Sequence, residues 1–295
     1  MKELPCLSLG LIGYPIDNSL SPVLHNAALI SSGISGKYEL YPIQNSTSKK
    51  KELRRIIDAM HAGMINGLNV TKPYKQDILE FVDAYSPAVE MIGAANVLNI
   101  HNGQIIAENT DAAGFMTDLQ NLYSRSGHIP ENEQRSLVLG AGGAARAVVY
   151  SLLNFEWPIF VASRKPNQAR ELCTHFASNK LSAIPYTVDG ILSIGPVDLI
   201  VNATPVGMYP MSNETPWHSE LNIPAHSVVY DMVYNPVNTL LVQSAKYSGL
   251  TAIGGIGMLI EQAALSFEIW TGKKAPRDDM RRAVSYYISG SITGK

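Results

Sequence analysis

The segment Leu137-Val138-Leu139-Gly140-Ala141-Gly142-Gly143-Ala144-Ala145 sets strand, turn and helix signals side by side. An apolar run of strand length meets a glycine-rich turn. Ala147, Val148, Leu152 and Leu153 then recur on one side of a helical period. Strand, glycine turn and helix in that order are the context a dinucleotide-binding fingerprint requires. Gly140 permits the tight turn, Gly142 lets backbone approach a pyrophosphate, and Ala145 lets helix pack closely on strand. With Ala141, Gly143 and Ala144 between them, the free N–H groups of the helix start would face the phosphates. The alternative is a tight strand-to-helix turn that holds no ligand.

The end of the next strand selects the cofactor. NAD binders carry Asp or Glu there for the ribose 2′-hydroxyl. Here the run is Ser163-Arg164-Lys165, two cations and no carboxylate, which suits the 2′-phosphate of NADP. A solvated basic turn is the plain alternative.

Working outward, the strands Ser136–Leu139, 159–162, Leu199–Asn202 and Val228–Asp231 form one βαβ series. The polar segment 124–135, with Gly127 and Pro130, reads as the loop before it. An earlier series has strands at Leu7–Gly13, 38–41 and Gly67–Val70. Ser21-Pro22 reads as a helix cap with proline in the first turn, the helix filling 23–32 and ending at Gly33. Leu53, Ile56, Ile57 and Met60 mark a second helix, closed by Gly63. The rhythm predicts an α/β fold with a mainly parallel sheet covered by helices. The last ~35 residues read as helices.

At 295 residues there is chain for two domains. Apolar residues make up 46% and charged residues 16%, with a net charge of −2 and no Lys/Arg stripe, so nucleic acid and acidic membranes are not expected partners. Lys2, Glu3 and Pro5 break up the start, and Arg146 interrupts the longest mid-chain apolar stretch, so neither a signal peptide nor a membrane span is expected and the protein reads as cytoplasmic. Cys6 and Cys173 sit among aliphatic neighbours and read as buried free thiols. No Cys/His cluster suggests a metal.

Four polar clusters could carry chemistry. Ser19-Leu20-Ser21-Pro22 offers two hydroxyls at a strand-to-helix junction, suited to a carboxylate, or Ser21 as a simple cap. Asn69-Val70-Thr71-Lys72-Pro73-Tyr74-Lys75 follows a strand, at the carboxyl edge where open α/β sheets bind ligands. Gly93-Ala94-Ala95-Asn96 ends a small-residue turn in a double-ended hydrogen bonder, and Asn109-Thr110-Asp111 precedes a helix over 112–122. An ammonium, a carboxylate, amides and hydroxyls together suit a small polyhydroxylated acid, and Lys75 could serve carbonyl reduction as proton donor.

These motifs, with Asn202-Ala203-Thr204-Pro205-Val206-Gly207-Met208, Tyr230-Asp231-Met232-Val233-Tyr234, Gly255-Ile256-Gly257-Met258-Leu259 and Gln262, give a chain that resembles the shikimate dehydrogenase family over nearly its whole length. The resemblance implies a discontinuous substrate domain, 1–111 completed by helices 259–295 that return to it, plus a Rossmann domain at 112–258 and a cleft between them. It implies Lys75 and Asp111 as the catalytic pair, and Ser19, Ser21 and Tyr234 at the substrate carboxylate. Thr71, Asn96, Asp111 and Gln262 would bind the ring hydroxyls, while Ala203, Thr204, Met232 and Gly255 would line the nicotinamide side. The reaction implied is reversible reduction of 3-dehydroshikimate by NADPH, hydride going to ring C3, in a monomer or homodimer whose partners are small molecules. The alternatives are a quinate/shikimate dehydrogenase using NAD or both cofactors, and a non-catalytic NADP-binding sensor.

Three positions depart from the family pattern. Gln168 stands where a second basic residue is common, with Lys165 as its potential substitute. Glu108 adds a carboxylate before Asn109, which would act on the protonation of Lys75. Gly254 stands where an acidic residue is often seen. Thr71 stands where some quinate-accepting relatives have Ser, and its methyl is expected to narrow the pocket in favour of shikimate.

Overall fold

The computed structural model describes residues 6–127 and 134–293, with side chains described to residue 290. The chain divides into two compact units, Met1–Thr110 with Ile260–Lys295, and Asp111–Leu259.

The first unit contains β1 (Leu7–Gly13), α1 (Ser21–Ser31), β2 (Gly36–Pro42), α2 (Lys49–His61), β3 (Gly67–Val70), β4 (Ala84–Tyr85), α3 (Pro87–Ile92), β5 (Val97–His101) and β6 (Gln104–Glu108). A single 3-10 turn, Asp77–Glu80, follows β3. The sheet order is β2-β1-β3-β5-β6-β4. β1 pairs in parallel with β2 and β3, and β4 with β6, while β5 runs antiparallel to both β3 and β6, so this sheet is mainly parallel with one reversed strand. The cause is Asn102-Gly103, both at positive φ (51° and 78°), a two-residue hairpin loop of the kind Asn-Gly favours. Leu53, Ile57 and Met60 of α2 pack on Ile12, Leu68, Val70 and Leu98 of the sheet.

The second unit contains α4 (Asp111–Ser126), β7 (Ser136–Leu139), α5 (Gly143–Leu153), β8 (Ile159–Ser163), α6 (Pro166–Phe176), β9 (Leu181–Pro185), α7 (Val188–Ser193), β10 (Leu199–Asn202), β11 (Val228–Asp231), α8 (Leu240–Tyr247) and β12 (Ala252–Gly254). α9 (Ile256–Thr271) begins in this unit; its later turns and α10 (Arg277–Thr293) belong to the first, where α10 packs on α1. The sheet order is β12-β11-β10-β7-β8-β9, every pair parallel. Alternate residues of β7 face opposite layers: Val138 joins Phe115, Val148 and Leu152, and Leu137 and Leu139 join Ile191, Leu241 and Val242. This doubly wound order reverses between β7 and β10, the switch point where such sheets bind ligands.

Several expectations are corrected. Residues 124–126 continue α4 instead of opening a loop, because Leu119 and the buried Tyr123 keep the helical stripe going; 128–133, with Pro130, lie outside the described residues. Ser21 is not a cap. Leu20 holds that position, no side chain caps α1, and Ser21 is a buried first-turn residue. Cys6 lies ahead of β1, outside the ladder, and is exposed, while Cys173 is half-buried; both are free. β4, β5, β6, β9 and β12 have no counterpart among the expected strands. Among the described residues no helix is long and apolar enough to cross a membrane.

His25 of α1 is fully buried, stacked on Tyr38 with ring centroids 4.4 Å apart and tilted against Trp270 at 5.2 Å. Burial lowers its pKa from 6.5 to about 3, outweighing the opposing effect of Asn69. The unfolded chain therefore binds a proton between these values that the folded chain refuses, so stability falls as pH drops from 6.5 towards 3. The slope contributed is about 1.4 kcal/mol per pH unit. His25→Phe, which keeps the stack, should remove that part of the slope in urea melts at pH 6.5 and about pH 4. Parallel pH dependences for the two proteins would show that His25 does not titrate this way.

Candidate active site

In the first unit the polar clusters gather on buried amides. Asn69, near the end of β3, accepts a hydrogen bond from the Tyr38 hydroxyl (2.7 Å) and donates to the Asn96 carbonyl (3.1 Å) and Ser266 Oγ (3.0 Å). Asn96 accepts from the Thr110 amide (2.7 Å), and its NH2 group donates to Thr110 Oγ1 (2.9 Å) and Gln262 Oε1 (3.3 Å). Thr110 and Ser266 share a hydroxyl contact at 3.2 Å. The Ala95 amide donates to the Lys75 carbonyl at 2.7 Å, so the segment carrying Lys75 is tied to the turn carrying Asn96. Asn109 closes the same turn by donating to the Ala94 carbonyl (2.8 Å), and the Glu108 carbonyl receives the Asn96 amide at the end of β6. Lys75 is half-buried.

The structure thus ties Lys75, Asn96 and Gln262 into one framework. Ser19 and Ser21 pair with each other, Ser19 Oγ to Ser21 Oγ at 3.2 Å, and Ser19 Oγ also accepts the Ser21 amide. Their hydroxyls do not bond to the Asn96 network. Thr71 donates its amide to the Ile12 carbonyl (2.9 Å), and its methyl abuts Gly13, where an added Cβ would lie 2.3 Å from Thr71 Cγ2. The methyl is therefore packed against β1, not free to act as bulk elsewhere. Thr110 joins this framework from the Asn109-Thr110-Asp111 cluster, and Ser266 and Tyr38 join it although neither was expected in a site. Gln262, Ser266 and Trp270 recur four residues apart, one helical face, which is the signal that could have found Ser266.

In the second unit, Gly140 at φ +112° sits with its amide on the Ala162 carbonyl (2.8 Å) and has no room for a side chain, since a Cβ would lie 3.0 Å from the Ala203 carbonyl oxygen. Above Gly142, in contrast, a Cβ would meet nothing within 4 Å, and no side chain caps the start of α5. Open backbone at a helix N-terminus with uncapped N–H groups fits the diphosphate of a dinucleotide. Ser163 ends β8, and its hydroxyl accepts the Lys165 amide (3.2 Å); Arg164, Lys165 and Gln168 are exposed. The resulting turn offers two cations and no carboxylate, which fits a ribose phosphate. Ala203 and Thr204 follow β10, and Met232 and Tyr234 follow β11, all four half-buried. Gly255 is pressed onto Met232: its amide bonds the Val233 carbonyl (3.0 Å), and a Cβ would lie 2.3 Å from the Met232 carbonyl oxygen. Asp111 is buried at the start of α4. Among the described residues no group of three or more His, Cys, Asp or Glu could hold a metal ion.

The family described as "Shikimate dehydrogenase substrate binding domain" matches residues 11–98, and "Shikimate 5'-dehydrogenase C-terminal domain" matches 255–284. The chain is 37% identical to the NADP(+) shikimate dehydrogenase of Shouchella clausii over 280 residues, covering 95% of this chain and 98% of that one. Among solved structures, shikimate 5-dehydrogenase from Thermus thermophilus in complex with NADP(H) and shikimate is 33% identical with a TM-score of 0.80, covering 95% and 99% of the two chains. Quinate dehydrogenase from Corynebacterium glutamicum in complex with NAD is 29% identical with a TM-score of 0.81, covering 95% and 99%.

Gly254 now has a physical reason. A Cβ there would lie 2.8 Å from the Val237 carbonyl oxygen and 3.2 Å from that of Val233, so the loop after β11 closes over the position an acidic side chain would need. Gly254→Asp should destabilise the protein by about 1–3 kcal/mol through overpacking, read as a lowered Tm. An unchanged Tm would show that the loop yields freely.

Proposed function

The chain belongs to the shikimate dehydrogenase family, and we propose that it catalyses the reversible NADP-dependent reduction of 3-dehydroshikimate to shikimate, on the way to chorismate and the aromatic amino acids. The observation that carries this reading is the framework of the first unit: Lys75 tied through Ala95 to Asn96, and the Asn96 amide bonded to Thr110 and Gln262. A lysine whose backbone is tied to a turn of buried amide and hydroxyl groups suits a small polyhydroxylated ketone better than an apolar substrate.

NADPH, when bound, supplies the hydride that goes to C3 of the ring. Lys75 donates the proton to the developing alkoxide, with Asp111 as the acidic member of the pair. Thr71, Asn96, Asp111 and Gln262 hold the ring hydroxyls, and Ser19, Ser21 and Tyr234 hold the carboxylate. The Ser19–Ser21 pair supports that role, because Ser21 is not needed to cap α1. Thr71, with its methyl against Gly13, acts through its hydroxyl. On the cofactor, Gly140, Ala141, Gly142, Gly143 and Ala144 take the diphosphate, Ser163, Arg164 and Lys165 the 2′-phosphate, and Ala203, Thr204, Met232 and Gly255 the nicotinamide side. The substrate is taken by 1–111 with 259–295, and NADP by 112–258. Two free thiols suit a reducing compartment, the cytoplasm. The partners are small molecules, with the protein a monomer or homodimer.

Initial rates with shikimate and quinate, each with NADP and NAD, test the proposal. Shikimate with NADP should give the highest kcat/KM. Comparable turnover of both acids would favour a quinate/shikimate dehydrogenase, and no turnover a sensor. Lys75→Ala should lower kcat by about 10²–10⁴-fold while substrate affinity changes much less; near-normal kcat would remove Lys75 from the chemistry. Arg164→Ala should weaken NADP strongly and leave NAD almost unchanged, whereas equal losses would indicate that Arg164 does not read the 2′-phosphate.

A further inference from the structure

We propose that Asn202 and Asp231 are positioning residues: they lock the backbone at 203–206 and 232–233 in the geometry that seats the nicotinamide half of the cofactor. The inference rests on the cofactor-side roles proposed for Ala203, Thr204 and Met232.

Asn202 ends β10 and Asp231 ends β11, and the two face each other in the parallel register with no solvent exposure. Their own contact is Asn202 Nδ2 donating to Asp231 Oδ1 at 2.8 Å. Every other side-chain bond they make leaves the sheet. Asn202 Oδ1 accepts from the Thr204 amide (2.9 Å) and the Thr204 hydroxyl (2.7 Å), and Asn202 Nδ2 also donates to the Val206 carbonyl (3.1 Å). Thr204 Oγ1 in turn accepts the Val206 amide at 3.1 Å. Asp231 Oδ1 accepts the Val233 amide (3.0 Å), and Asp231 Oδ2 accepts the Thr239 hydroxyl (2.6 Å). Thr239 Oγ1 accepts the Val242 amide and caps α8.

Two apolar residues would join β10 to β11 at least as well as this pair, since burying a carboxylate without a cation is costly. What apolar residues cannot do is fix the direction of loop amides and carbonyls. The polar pair does this on both loops at once, and the surroundings leave no slack: the Met232 carbonyl is wedged against Gly255, and the Met232 amide bonds the Asn202 carbonyl at 3.0 Å. Thr204 is thereby held by three bonds, its hydroxyl directed inward at Asn202 rather than at a ligand. Thr204 therefore contributes shape, and the Asn202–Asp231 pair decides that shape.

The test is Asp231→Leu, which keeps the size but removes both acceptors. The Asn202 NH2, the Val233 N–H and the Thr239 hydroxyl then lose the partner they share, so the loops after both strands lose their anchor. NADPH affinity should fall about tenfold and kcat by roughly 10–100-fold, the cost of a misplacement on the ångström scale. 2′,5′-ADP, which has the phosphorylated adenosine but no nicotinamide, should bind within about twofold of the unmodified protein, and the KM for shikimate should change as little. Thr239→Val, which removes the donor to Asp231 Oδ2, should repeat the pattern in a second protein, and Thr239→Ser should restore it. Equal losses for NADPH and 2′,5′-ADP would mean general loosening and would overturn the inference, as would unchanged NADPH affinity and kcat. If the unmodified protein is inert with shikimate, the proposed function falls, and the comparison of NADPH with 2′,5′-ADP still decides this inference.

Discussion

Asn202 and Asp231 face each other at the ends of two parallel strands where no water reaches, and each must satisfy its polar atoms from the protein alone. That requirement fixes the loops of the second unit, because beyond their own mutual bond the two side chains are satisfied by backbone and hydroxyl groups just past the strands. The first unit solves the same problem with Asn69, whose side chain bonds Tyr38, the Asn96 carbonyl and Ser266. In both sheets a buried amide near the carboxyl end of a strand is the knot from which the functional loops are tied. Breaking such a knot leaves unsatisfied groups in a medium where each costs about 1–3 kcal/mol, so the loops behave as rigid parts of their sheets.

Close backbone approach is the second constraint. Gly140 lies against Ala203, Gly255 against Met232, and at Gly257 an added Cβ would fall 1.9 Å from Asp118 Oδ1. Asp118 also accepts the hydroxyl of Tyr230 at 2.6 Å, and burial together with that carboxylate pushes the Tyr230 pKa well above its ordinary value, so this phenol stays protonated as a donor. The start of α9, the end of β11 and the middle of α4 are thereby held in one arrangement within the second unit. Gly142 is the contrast: it faces open space, as a residue should that leaves its backbone to a ligand.

Legibility in the sequence follows the range of the interaction. β7, β10 and β11 match the apolar runs 137–139, 199–201 and 228–230, because a strand buried on both faces favours consecutive apolar residues; β1 and β3 match as well, although Ser8, Gly10 and Asn69 interrupt their runs. β9 and β12 lie at the two edges of their sheet, are partly exposed, and carry weaker patterns. The β5–β6 hairpin was written in Asn102-Gly103 and puts one reversed strand into the first sheet. Ser21 reads as a cap from composition, yet the helix starts one residue earlier than a Ser21 cap would allow, a shift that depends on Ser19 taking the Ser21 amide.

Sequence alone determined the strands β1, β2, β3, β7, β8, β10 and β11, the glycine turn with its helix, the pair of cations without an acid after β8, and the family, since each is carried by neighbouring residues or by motifs in fixed order. Tertiary structure alone decided which buried polar groups satisfy one another. Asn69 and Ser266 are 197 positions apart, Asn96 and Gln262 are 166 apart, and Asn202 and Asp231 are 29 apart. It also decided that Gly254 has little room for a side chain, because the obstacle is a carbonyl oxygen of Val237 that the local sequence does not place. A hydrogen bond or a close contact between distant residues leaves no periodic trace along the chain; it exists only once the sheets have set the distances.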